Sequence, residues 1–150
     1  MLRKPMLGIL ALVAATLLMT GCANRATAKV DPSARLDTIK TMHVVKIPDE
    51  TANISTMIAD KLRVKGYQVS TGTDKPSNVD AIVTYVDRWM WDITMYLLEL
   101  TITIRDGKTE FPLASGNSLH GSLTRLSAQE MVDEVMGNIF KEAKISEARK

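Results

Sequence analysis

The densest group of residues able to do chemistry is the run Tyr85-Val86-Asp87-Arg88-Trp89-Met90-Trp91-Asp92-Ile93-Thr94-Met95-Tyr96-Leu97, which holds both tryptophans and two of the three tyrosines. Asp87 and Asp92 could work as a general acid and base if they faced one another across a cleft. The rings of Tyr85, Trp89, Trp91 and Tyr96, flanked by carboxylates, could instead form a platform for a glycan, a lipid head group or a partner strand, because interfaces are enriched in aromatic anchors. In a third arrangement nothing is bound: the rings pack on a sheet, and Asp87 or Asp92 accepts from a backbone or indole N–H. If the strand runs unbroken, alternation puts Tyr85, Asp87, Trp89 and Trp91 on one side. A second cluster, Ser115, Ser118 and Ser122 near His120, has the residue types of a nucleophilic triad but lacks a nucleophile elbow. His43 and His120 are the only histidines, and neither stands in a metal-ligand spacing. No G-x-S-x-G, H-E-x-x-H or phosphate-cradling glycine loop occurs. The expectation is a chain that is not an enzyme and takes neither cofactor nor metal.

Cys22 is the only cysteine, and its setting is distinctive. Arg3 and Lys4 open the chain with positive charge, Met6 to Met19 are almost wholly apolar, and Met19-Thr20-Gly21 leads into Cys22. That is the grammar of a secretory signal peptide over residues 1–21, with an apolar run too short to cross a bilayer comfortably. A cysteine there could be a buried thiol or half of an intermolecular disulfide, but neither explains the small residue before it and the polar stretch after it. The arrangement resembles the lipobox of bacterial lipoproteins. The resemblance implies that the Cys22 thiol takes a diacylglycerol, that the chain is cut before it, and that the new amine is acylated. A chain with three acyl groups would stay in the membrane, since each buried methylene contributes about 0.8 kcal/mol. Ala23, rather than Asp, after the cysteine implies an outer-membrane, periplasm-facing location.

Charge fits that setting. The whole chain has 19 basic and 17 acidic residues, and Arg3 and Lys4 fall in the leader, so the remainder is formally neutral. No basic stripe suggests nucleic acid, and no acidic block suggests a cation store. With Cys22 acylated no disulfide is available, and stability must come from apolar burial. Residues 22–38 read as a flexible tether carrying the lipidated Cys22: Ala, Asn, Thr, Lys, Asp and Pro32 dominate without apolar period. Residues 39–145 then read as a single α/β domain, and 146–150 as a frayed polar tail.

The elements that must position the aromatic run follow from periodicity. Met42 to Ile47 is a β-rich run stopped by Pro48. Asp49-Glu50-Thr51 opens a helix whose Ile54, Met57, Ile58 and Leu62 share a face, ended by Gly66 as a left-handed cap. Tyr67 to Thr71 is a short strand. Val79 to about Trp89 and Thr94 to Arg105 are the long ones, the second alternating Leu98, Leu100, Ile102 and Ile104 against Glu99, Thr101, Thr103 and Arg105. Asp106-Gly107 signals a hairpin, returning through Thr109 to about Leu119, with Pro112 at an edge or a bulge. Ser127-Ala128-Gln129-Glu130 is a capping box, Leu126 and Met131 suit a staple, and Met131, Val132, Val135, Met136, Ile139 and Phe140 form a buried stripe. Gly137 within that helix predicts close packing.

The order β-α-β-β-β-β-α predicts an α+β fold: a two-layer α/β sandwich with one mixed sheet and both helices on one face. The string Y-x-D-x-W-x-W-D-x-x-x-Y-L, from Tyr85 to Leu97, resembles a family of small uncharacterised bacterial outer-membrane lipoproteins. That resemblance implies the two-layer fold and the periplasmic aspect, but no activity. More distantly the element order is similar to lipoproteins of surface assembly such as the lipopolysaccharide-assembly lipoprotein. Two functions remain open on these grounds. In one, an envelope protein partner docks on an exposed strand edge or on the Trp hairpin. In the other, the hairpin binds a glycan or a lipid.

Overall fold

The computed structural model describes residues 24–149. The leader over 1–21 and the lipidation expected at Cys22 lie outside the described residues. Six strands form one mixed sheet: β1 Asn24–Val30, β2 Thr41–Val45, β3 Gln68–Gly72, β4 Ala81–Asp92, β5 Thr94–Asp106 and β6 Pro112–His120. Two helices, α1 Ile54–Val64 and α2 Ala128–Ala148, complete it, with one-turn helices at Leu36–Thr38 and Ser122–Thr124. The spatial order is β1-β6-β5-β4-β2-β3. Strand β2 runs parallel to β3 and β4, and the other pairs are antiparallel. The expected two-layer α+β sandwich is what forms: α1 and α2 meet each other and bury one face of the sheet.

The core is built by alternation. Val83 and Tyr85 of β4, Leu100, Ile102 and Ile104 of β5, and Met42 and Val44 of β2 point to the helices and are buried. Ile54, Ile58 and Leu62 of α1 and Met131, Val135 and Ile139 of α2 meet them. Each such side chain contributes about 1.5–3 kcal/mol when fully buried. The expected inward Leu98 is displaced. A bulge sets Arg88 opposite Glu99 but Trp89 opposite Leu97, so Leu98 has no cross-strand partner and Leu97 takes the buried place.

The tether expected over residues 22–38 is corrected from Asn24 onward, the two residues before it lying outside the described ones. Asn24–Val30 is a strand along most of β6, from Asn24 opposite His120 to Val30 opposite Ala114, and Ala34 and Leu36 are buried. The period of two is present in Arg25-Ala26-Thr27-Ala28-Lys29-Val30, but two of its three helix-facing positions, Ala26 and Ala28, are alanines and only Val30 is a larger apolar residue. The alanines carry little hydropathy and fit because α2 lies close above them. The added strand makes β6 an interior strand, so Pro112 marks a bulge, seen as a register shift between Ile104 and Arg105, and not an edge. The tail expected to fray from residue 146 stays helical to Ala148.

Helix termini divide the same way. Ser127 and Glu130 close the capping box as expected, Ser127 Oγ accepting from the Glu130 N–H at 3.2 Å and Glu130 Oε2 accepting from the Ser127 N–H at 2.8 Å. Gly66 sits at φ 98° after α1, as the cap requires. The start of α1 differs: Asn53 occupies the N-cap without a side-chain bond, and Glu50 reaches forward to accept from the Ser55 N–H and, at 2.9 Å, from its hydroxyl. Close packing expected at Gly137 is also corrected, since that residue faces open space. The tight approach is at Gly116 on β6, where a Cβ would stand 2.9 Å from Val135 Cγ1 and Ile139 Cγ1 of α2.

Candidate functional site

The aromatic run forms the β4–β5 hairpin, whose two arms meet at Ile93. Cross-strand register keeps Tyr85, Asp87, Trp89 and Trp91 on one face of β4, as alternation requires, with Met95 and Leu97 beside the two tryptophans. Met90, Asp92, Thr94 and Tyr96 occupy the opposite face. The six aromatic and acidic residues of the run therefore do not make one site. They divide into an anchored base and an exposed tip.

The base is spent on structure. Tyr85 is buried, and its hydroxyl donates to Glu50 Oε1 at 2.7 Å. Burial, then the Glu50 carboxylate, push the Tyr85 phenol well above its ordinary range, so it remains a donor. Trp89 is half-buried and its indole N–H donates to Asp87 Oδ2 at 2.7 Å, the packed arrangement of ring and carboxylate. Tyr96 is buried under the guanidinium of Arg125, which lies 4.2 Å above its ring. Arg125 also donates to the Asp92 carbonyl at 2.9 Å and to Thr94 Oγ1 at 2.7 Å, and pairs with Asp92 Oδ2 at 3.3 Å. One arginine from the turn before α2 thus clamps the end of the hairpin; its position gave no sequence signal.

Asp87 and Asp92 do not converge. The first faces Trp89; the second lies on the opposite face, engaged by Arg125 and the Ser122 hydroxyl. Ser115, Ser118 and Ser122 also separate. Ser115 bonds Thr103 Oγ1 at 3.1 Å. Ser118 and His120 meet on one oxygen of Glu134 from α2, with His120 Nε2 at 2.9 Å. The Ser118 hydroxyl is directed at the carboxylate and not at the imidazole, so no nucleophile–base pair forms. His43, on the other side of the sheet, bonds Ser70 Oγ through Nδ1 at 2.8 Å.

The tip is different. Trp91 is 71% exposed, Ile93 85% and Met95 60%. Ile93 also holds a left-handed backbone at φ 61°, a conformation that a β-branched side chain adopts only at a cost. Sequence reasoning found the two tryptophans; it missed Ile93, whose signal is the conformation. Between residues 89 and 98 the sole charged side chain is Asp92.

No protein-family profile and no curated protein sequence matches this chain. Solved structures do resemble it. A dodecameric PelC from Paraburkholderia phytofirmans superposes with a TM-score of 0.55 at 12% identity, over 80% of this chain and 96% of that one. A single-residue variant of the same dodecamer gives 0.57 at 14% identity, over 77% and 97%. The likeness is one of fold. A minor lipoprotein from Acinetobacter baumannii gives a TM-score of 0.36 at 17% identity, over 74% of this chain and 93% of that one.

Proposed function

We propose that this chain is a lipid-anchored, periplasm-facing outer-membrane lipoprotein that binds a protein partner and performs no catalysis. The observation that carries the partner is the outer edge of β1. Among the described residues this strand pairs with β6 on one side and with no strand on the other. On the sheet face away from the helices it presents Arg25, Thr27 and Lys29 to solvent. Unpaired N–H and C=O groups over seven residues suit addition of a partner strand, while Arg25 and Lys29 discourage indiscriminate pairing. The dodecameric state of PelC supports a fold of this kind serving in assemblies. The anchor rests on the lipobox-like setting of Cys22. The test is a photo-crosslinker at Thr27 in whole cells. A product of one defined mass supports the reading; a smear, or no product beyond that from exposed Val64 on α1, contradicts it.

The exposed Trp91 favours a second reading, in which the hairpin takes a lipid or a glycan. Titration of the intact protein with candidate ligands, read by tryptophan emission, separates this from strand addition.

A further inference from the structure

Five large apolar side chains stand in solvent at one end of the sheet: Met90, Trp91, Ile93 and Met95 on the hairpin, and Leu123, 99% exposed, in the turn after β6. They gather at one end rather than on one face: Trp91 and Met95 lie on one side of the hairpin, Met90 on the other, and Ile93 at the turn between them. The turn holding Leu123 is bonded to the hairpin through Ser122 and Arg125 on Asp92, and to the first described residue through Thr124 on Asn24.

That end is also where the chain leaves the sheet toward Cys22. Register puts Asn24 beside His120, and the neighbouring row runs from Arg25 through Leu119 and Glu99 to Arg88. The hairpin extends past this row by about four residues, or roughly 14 Å. Cys22 is two residues before Asn24, so the sulfur-bearing residue lies within roughly 7 Å of chain from it. With β1 folded onto β6 no slack remains to carry the domain away from the acyl chains. Glu99 on the adjoining row is shared by Arg25 at 3.4 Å and Arg88 at 3.2 Å, which leaves positive charge in excess just behind the apolar tip.

We infer that the β4–β5 hairpin tip is a second membrane contact: Trp91, Ile93, Met95 and Leu123 enter the phospholipid interface beside the acylated Cys22, with Arg25 and Arg88 at the level of the phosphates. Apolar side chains at the tip, a Trp near the head groups and guanidiniums behind them form the sequence that an interface selects. Asp92, the one acid at the tip, is neutralised by Arg125. The domain is thereby held at two points with a fixed face to the bilayer, and the β1 edge stands across the membrane surface, open to a partner. This inference rests on the acylation of Cys22 and deepens the lipid reading of the hairpin.

The test uses the full chain purified from membranes and reconstituted into vesicles of phosphatidylethanolamine and phosphatidylglycerol with brominated acyl chains. Incorporation of labelled palmitate reads the anchor separately. Trp91→Phe, at an exposed position, leaves Trp89 as the sole emitter. The expected result is strong quenching of the wild type by brominated lipid and loss of most of that quenching in W91F, with a blue shift on reconstitution confined to Trp91. Ile93→Asp, also at an exposed site, is expected to cut the quenching severalfold while the near-ultraviolet circular dichroism is kept. Palmitate incorporation with equal quenching in wild type and W91F overturns the inference and leaves the anchor standing. Shielding of Trp91 from aqueous acrylamide without quenching by lipid also overturns it, by giving the tip to a protein or a second copy. Lipid quenching of Trp91 without palmitate incorporation supports the tip contact and overturns the anchor.

Discussion

The hydroxyl of Tyr85 donates to Glu50 Oε1 at 2.7 Å, tying the base of the exposed hairpin to the start of α1. The Glu50 side chain is only 1% exposed, and Lys46 stands 3.7 Å from its other oxygen. Burial alone would raise the Glu50 pKa, but the Ser55 N–H, the Tyr85 and Ser55 hydroxyls and Lys46 together hold it below the usual carboxylate range. Because the folded value is depressed, the ionised carboxylate stabilises the fold above the unfolded-state pKa, and this is lost as pH falls through the folded value. Glu134 shifts in the same direction, its burial outweighed by Ser118 and His120. Glu50→Gln should therefore cost about 2 kcal/mol at pH 7, a difference that shrinks below about pH 4. Urea unfolding across that range checks it; a difference independent of pH would refute the charge as the cause.

Two glycines should respond oppositely to the same methyl group. Gly116→Ala drives a Cβ against two branched side chains of α2 and should destabilise by about 1–3 kcal/mol. Gly137→Ala, in open space on a helix, should stabilise by up to about 1 kcal/mol. Chemical denaturation midpoints of the two variants must move in opposite senses.

Strand β1 makes a direct prediction for amide exchange. Amides between residues 24 and 30 that bond to β6 should be protected like those of β5, with their outward neighbours exchanging fast. Uniformly fast exchange over this segment would restore the tether.

Ile93→Gly should separate stability from binding. Removing the Cβ relieves the left-handed backbone and is expected to stabilise the domain by about 1 kcal/mol. It also deletes a side chain 85% exposed at the tip, so quenching by brominated lipid should fall. A variant that melts earlier and quenches equally would contradict both halves.

What the sequence made legible depended on how local the cause was. The capping box of Ser127 and Glu130 and the Gly66 stop lie within one turn of the residues they serve, and both were readable. The alternation of Leu100, Ile102 and Ile104 was equally plain. Leu98 failed because the bulge depends on pairing between two strands. β1 failed because Ala26 and Ala28, two of its three helix-facing residues, are small, and their smallness has meaning only once α2 is above them. For the hairpin, Trp89 is the packed ring, set against the core and bonded to Asp87, while Trp91, two residues on, is exposed; alternation puts both on one face and so could not separate them.

The closure of β1 on β6 has a consequence for how such a chain is made. The Thr124 hydroxyl and the Asn24 side chain are 100 positions apart in sequence and in contact in the fold. A polypeptide made from its N-terminus presents its opening strand long before the strand that completes it has emerged. Contacts of such separation form late and slowly. The first strand thus stays unpaired during synthesis and is sewn in only when nearly all of the chain has been made.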